Sequence, residues 1–232
     1  EKREGGEDRW VQPVTAGGDG ATFLQCNRNK RSITLDTSTP EGAAVMRRLV
    51  TSADIVVANM PEPAMKANGL DYDSLRAVKP DIILASATAF GNGGPYSDRV
   101  GFDGIGQVMS GGVYRSGLPD MPIRSVVPYV DFGTALTLAI GTMMALFHKL
   151  KTGEGQQVEA ALLPTALMMT NGLLIEQAVK HVCKGRVGNK GSAVVPVTGR
   201  GHQGPRQAQF AEGVELRRVC LLNRQRRSLG RG

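Results

Sequence analysis

Two aspartates have settings in which a carboxylate could do chemistry. Asp131 stands at the head of a run from Val130 to Phe147 that is otherwise broken only by Gly133, Gly141 and threonines. A carboxylate at the start of an apolar helix faces the free N–H groups of the first turn, so it is either a helix cap or an anion held for reaction. Tyr129, Val130 and Phe132 would make its surroundings mostly apolar, which suits a nucleophilic carboxylate. Asp103, in Gly101-Phe102-Asp103-Gly104, is the second acid; its neighbours read equally well as a turn or a cap. The third feature is the glycine-rich stretch Phe90-Gly91-Asn92-Gly93-Gly94-Pro95-Tyr96. It reads as a flexible turn, or as a ligand loop, since it follows an apolar strand and ligands of parallel sheets sit outside the carboxyl ends of strands.

Other chemistries find little support. No G-x-G-x-x-G follows a strand, Gly188-Asn189-Lys190-Gly191-Ser192 lacks the Gly-Lys-Ser/Thr order of a phosphate loop, and Ser110 lacks the first glycine of a nucleophile elbow. His148, His181 and His202 share no metal-ligand spacing, so no metal site is expected, and His148 reads as a partly solvated helix-end residue.

The elements that must position these residues are α/β in pattern. Residues 32–36 read as a short strand. Thr39-Pro40-Glu41 then opens a helix to about Ser52, with a hydroxyl cap, proline in the first turn and an acid at the positive end of the dipole. Residues 54–58 read as a strand buried on both faces, 71–78 as a helix stopped by Pro80, and 81–87 as another buried strand. Alternation of this kind implies βαβ units and a parallel sheet. Residues 130–147 are at the short limit for a membrane span and end in Lys149, Lys151 and Gly153, ordinary helix punctuation; the expectation is a helix buried on most faces, without a membrane. Residues 158–179 carry a helical pattern despite Pro164.

The chain has 232 residues, 41% hydrophobic and 21% charged, enough for a core and one or two domains. Its net charge of +7 is unevenly placed. Residues 1–180 carry 17 Lys and Arg against 19 Asp and Glu, while residues 181–232 carry 11 against 2. A polyanion such as nucleic acid is therefore expected as a partner only through the basic tail. Three cysteines without a C-x-x-C pair, and no apolar stretch in the first eight residues, point to a reducing, cytoplasmic setting.

From Cys26-Asn27-Arg28-Asn29-Lys30-Arg31 through Leu35-Asp36 the chain resembles the class III CoA-transferase family, which includes formyl-CoA and carnitine CoA-transferases. The similarity continues through Val57-Ala58-Asn59-Met60, Ala89 to Tyr96, Gly101-Phe102-Asp103 with Gln107 and Ser110-Gly111, and Val130-Asp131-Phe132-Gly133-Thr134 leading to Lys151-Thr152-Gly153-Glu154-Gly155-Gln156. These ordered blocks span roughly residues 1–196. The resemblance implies a Rossmann-like parallel sheet with flanking helices, a homodimer, and coenzyme A and acyl-CoA as substrates, with no prosthetic group. A small carboxylic acid would be the other partner. It places Asp131 as the nucleophile, passing through a mixed anhydride and an aspartyl-CoA thioester, with Asp103 as a supporting acid and Gln107 holding the helix start. Asn59, Met60 and Phe102 would line the CoA pocket, Lys30 and Arg31 would meet its phosphates, and Leu162 would be an apolar pocket residue. The superfamily's acyl-CoA racemases carry histidine where this chain has Phe102, and a phenyl ring moves no proton, so transfer is favoured over racemisation.

The resemblance also sets the expected organisation. Residues 1–180 would be an incomplete large α/β domain beginning after the family's first strand and helix. Residues 181–196 would be a linker toward a missing small domain. Residues 197–232, rich in Arg, Gly and Gln, would be a non-native tail from a shifted or misspliced frame, or a disordered basic extension. A catalytically inactive fragment and a polyanion-binding protein acting through this tail are the alternatives from other functional classes.

Overall fold

The computed structural model describes residues 5–11, 13–186 and 188. After a short 3-10 turn at Glu7–Trp10, the chain forms α1 (Ala21–Cys26), α2 (Pro40–Thr51), β1 (Ile55–Ala58), α3 (Glu62–Ala67), α4 (Tyr72–Val78) and β2 (Ile83–Thr88). Then come α5 (Asp103–Met109), α6 (Gly112–Arg115), the small hairpin of β3 (Gly117–Leu118) and β4 (Met121–Pro122), α7 (Tyr129–Thr152), β5 (Gln157–Ala161), α8 (Leu162–Met169) and α9 (Asn171–Lys180). The Thr39 hydroxyl accepts from Gly42 N at 3.1 Å to start α2, and Asp71 Oδ1 accepts from Ser74 N at 3.2 Å to start α4.

β1, β2 and β5 form a parallel sheet in the order β1-β2-β5, with Ile55 opposite Ile83 and Leu84 opposite Gln157. Helices cover both sides of β2. Leu84 packs with Val50, Ala58, Met65 and Leu75 beneath α2, α3 and α4, whereas Ala85 packs with Leu138 and Ala160 beneath α7. Alternate residues of one strand thus enter two different cores, as a pleat requires.

The α/β expectation holds, with four corrections. Residues 32–36 are not a strand: Ser32, Ile33 and Thr34 are exposed, Ile33 by 50%, so the segment has no buried face to favour one. β1 is the sheet's edge among the described residues and is not buried on both faces, since Val57 is 71% exposed. The pattern over 158–179 belongs to three elements. Val158 lies in β5 and Leu162 begins α8, so their helix-like spacing straddles a strand–helix boundary, and Pro164 falls in the first turn of α8, where a missing N–H costs little.

The fourth correction concerns α7. This 24-residue helix is long and apolar enough to cross a membrane, yet only Val130, Thr134, Leu138 and Ala145 are buried. These fall on one stripe, along which Leu138 packs against β2 and β5 and Val130 meets α5. A three-strand sheet is too narrow to cover more, so Ile140, Met144 and Leu150 on the remaining faces are exposed. Gly141 permits the close approach, for a Cβ there would stand 2.8 Å from Val158 Cγ1. The helix ends at Gly153, in the left-handed region at φ +78°, whose N–H donates to Lys149 O at 2.8 Å.

Lys149 sets the direction of α7. Its Nζ pairs with Asp54 at 3.0 Å and Asp81 at 2.8 Å, residues that precede β1 and β2. The end of α7 is therefore tied to the amino edge of the sheet. Asp131, about 27 Å earlier along a helix axis, is carried toward the carboxyl edge.

The linker expected at 181–196 is described only over 181–186 and at 188. There Arg186 donates to Leu118 O, Tyr114 O and Pro119 O, which holds the segment against α6 and the β3–β4 hairpin. The tail at 197–232 lies outside the described residues.

Candidate active site

Asp131 does not cap its own helix. α7 begins after Pro128, leaving Asp131 as its third residue, and the caps come from Asp103. Asp103 Oδ2 accepts from Val130 N at 2.8 Å and from Asp131 N at 3.2 Å. Asp103 is itself the first residue of α5, so one buried carboxylate meets the positive ends of two helices. Gly106 lets those helices meet: a Cβ there would lie 2.7 Å from Val130 Cγ1 and 3.4 Å from Leu162 O.

Gln107, 1% exposed, completes the cradle. Its Nε2 donates to Asp103 Oδ1 in a short hydrogen bond and lies 3.3 Å from Ser125 O, while its Oε1 accepts from Ser125 N at 2.9 Å. The segment leading into α7 is thereby held to α5, in keeping with the expectation that Gln107 holds the helix start. Arg124 approaches Asp103 Oδ1 from another side, at 4.0 Å.

Asp131 gives its N–H to Asp103, and its carboxylate makes no hydrogen bond or ion pair among the described residues. The residue is open to solvent, yet partial desolvation and then the charge of Asp103 lift its carboxyl above the usual carboxylate range. Burial and then the same charge also raise the Tyr129 phenol. The expected apolar setting is partly met: Val130 is buried, but Phe132 is 45% exposed. The first-turn N–H groups do not point at a substrate, because those of Val130 and Asp131 serve Asp103 and that of Phe132 donates to Pro128 O at 3.2 Å.

The remaining candidates divide by position. Asn59 and Met60 directly follow β1; Asn59 is exposed, and Met60 leans on the core beneath α2 to α4. Leu162 directly follows β5, and Leu163 N donates to Ala89 O at 3.0 Å, which ties the ends of β5 and β2 together. Since the strands are parallel, these positions share the sheet's carboxyl edge with the glycine-rich stretch after β2. Phe102 precedes α5 and is 80% exposed. Lys30 and Arg31 are exposed between α1 and α2, and make no side-chain hydrogen bond to the other candidates among the described residues.

The glycine-rich stretch is anchored by a residue that sequence reasoning did not single out. Glu159 Oε1 accepts from Asn92 N at 2.7 Å, and its Oε2 accepts from Asn92 Nδ2 at 3.2 Å. Gly91 and Gly93 take φ of +83° and +76°, conformations that favour glycine. Arg124 was likewise missed. It lies 21 residues from Asp103 in sequence, and no local motif marks their approach.

The fold is thus that of an α/β protein in which two acids are joined through a helix start near the carboxyl edge of a parallel sheet. The family model described as CoA-transferase family III matches residues 1–199, and the chain belongs to that family. It is similar to a succinate–glutarate CoA-transferase of Agrobacterium fabrum, 39% identical over 194 residues that cover 80% of this chain and 48% of the relative. It is also similar to a formyl-CoA:oxalate CoA-transferase of a Bradyrhizobium species, 36% identical over 62% of this chain and 34% of the relative. Among solved structures, a CAIB/BAIF family protein from Brucella suis superposes with a TM-score of 0.75 at 36% identity, covering 82% of this chain and 51% of that one. The chain spans about half the length of these relatives at most.

Proposed function

We propose that this chain carries the nucleophile and part of the CoA pocket of a CoA-transferase that moves coenzyme A between carboxylic acids. The observation that carries the reading is the division of labour between the two aspartates: Asp103 caps α7, and the Asp131 carboxylate is spared for reaction. Family membership supports the same reaction class.

The steps balance through Asp131. Its carboxylate oxygen attacks the acyl-CoA carbonyl carbon, the C–S bond breaks, and CoA leaves as thiolate from the resulting mixed anhydride. The thiolate attacks the aspartyl carbonyl, forming an aspartyl-CoA thioester and releasing the first carboxylate. An acceptor carboxylate attacks that thioester, giving a second anhydride and thiolate again. The thiolate then takes the acceptor's acyl group and returns Asp131 to the free carboxylate. Splitting one exchange into covalent steps is the general advantage of nucleophilic catalysis.

In this reading Asn59, Met60, Phe102 and Leu162 line the CoA pocket around the sheet's carboxyl edge, and Lys30 and Arg31 meet its phosphates. Asp103 acts as a positioning acid, and Phe102 leaves no proton carrier for racemisation. Homodimerisation and a cytoplasmic setting belong to the same reading. The names of similar proteins include succinate–glutarate and succinyl-CoA–L-malate CoA-transferases, which makes dicarboxylates the first substrates to try. The full chain, mixed with succinyl-CoA and glutarate, should form glutaryl-CoA detectable by mass spectrometry. No exchange with any acyl-CoA by folded protein would set the reading aside for this chain.

A further inference from the structure

The Asp103–Asp131 pair poses an electrostatic problem for any anionic substrate. Two carboxylates repel a third unless a cation compensates. Asp103 is 5% exposed and already accepts from Gln107 Nε2, Val130 N and Asp131 N, so its acceptor oxygens are satisfied without a guanidinium while its charge stays uncompensated by any of these neutral donors. Arg124 nonetheless lies beside it, NH1 to Oδ1 at 4.0 Å, beyond hydrogen-bonding distance. Its side chain is 55% exposed and makes no hydrogen bond among the described residues, so its N–H donors are unspent. Gly104 makes room for it: a Cβ there would be 3.4 Å from Arg124 Cδ and 3.6 Å from NH1. Arg124 and Asp131 thus flank one carboxylate, the first beside Oδ1 and the second through its N–H at Oδ2. Exposed apolar side chains follow each partner in sequence, Val126 and Val127 after Arg124 and Phe132 after Asp131.

We propose that Arg124 binds the distal carboxylate of an aliphatic dicarboxylic substrate whose other carboxyl group reacts at Asp131. This rests on the transferase reading above and its dicarboxylate substrates, and adds the residue that would select the second carboxylate. A planar guanidinium presents paired donors that match a carboxylate, and the apolar side chains suit the methylenes between two carboxyl groups. The competing role is structural, with Arg124 serving only as a counter-charge for Asp103.

The test separates binding from catalysis. Glutarate and, as the monocarboxylate control, pentanoate are titrated into the isotope-labelled full chain, and the Arg124 Nε–Hε signal and binding curve are followed by NMR. Arg124→Gln should weaken glutarate binding by about tenfold or more, the loss of one charged hydrogen-bonding partner, relative to its effect on pentanoate. Arg124→Lys, which keeps the charge and guards against misfolding, should restore part of it. Equal glutarate binding by wild type and Arg124→Gln, or none by either, overturns the proposal. In a parallel arm, with each donor incubated separately, the yield of Asp131 hydroxamate from glutaryl-CoA relative to that from butyryl-CoA should fall in Arg124→Gln. An equal loss of both adducts assigns Arg124 the structural role and overturns the proposal. Arg124-dependent glutarate binding with no adduct from any donor would instead contradict the transferase reading and leave the carboxylate site standing.

Discussion

Asp103 caps the helix that presents Asp131: its Oδ2 takes the N–H of Val130 at 2.8 Å and of Asp131 at 3.2 Å. One carboxylate therefore holds the backbone of the other and also raises the pKa of its side chain. That relationship gives the two acids different roles and different expected responses to mutation.

Asp103→Ala removes the acceptor for two N–H groups at the start of α7 and for Gln107. It should destabilise the fold by roughly 1–3 kcal/mol in urea denaturation. Asp103→Asn keeps an acceptor oxygen and should cost less. A destabilisation of Asp103→Ala no larger than that of a surface substitution would show that the cap carries no weight.

The raised pKa of Asp131 predicts a pH signature. In the proposed mechanism attack requires the ionised Asp131 carboxylate, so the acid limb of adduct formation should lie above that of an ordinary aspartate. Asp103→Asn removes the neighbouring charge and should move that limb to lower pH. A limb that stays in place would mean that desolvation alone sets it.

Stability follows with the opposite sense. A group whose pKa is raised on folding contributes stability that is fully present below its unfolded pKa, about 3.9, and lost as pH rises through the folded value. Ionised Asp131 thus works against the fold at neutral pH. Asp131→Asn should melt higher than wild type at pH 7, with the difference closing toward pH 3. Equal melting temperatures at both pH values would contradict the raised pKa.

Glu159 anchors the glycine-rich stretch through Asn92 N and Nδ2. Glu159→Ala should speed hydrogen exchange at Asn92 and expose residues 90–96 to proteolysis, while global stability changes by less than about 1 kcal/mol. Unchanged exchange would mean that the glycines hold the loop without it.

Much of this was legible in the sequence because it is local. Thr39-Pro40-Glu41 announces α2, Gly153 its counterpart at the end of α7, and the buried strand expected at 81–87 forms two residues later, over Ile83–Thr88. Asp131 was visible as the head of an apolar helix. What stayed hidden depends on contacts distant in sequence. Nothing local says that the cap of α7 comes from Asp103, that Arg124 lies beside it, or that Glu159 reaches Asn92. Hydrophobic pattern also misled where exposure depends on what covers a face. Val57 and the outer side of α7 are as apolar as core residues, yet lie exposed because no described element packs over them.

The most direct test of the central claim is covalent trapping on the full chain. Incubation with succinyl-CoA or glutaryl-CoA, followed by hydroxylamine and peptide mass spectrometry, should yield a hydroxamate on Asp131 that is absent from Asp131→Asn. A hydroxamate on a different residue, or none on demonstrably folded protein, would contradict the assignment of Asp131 as the nucleophile.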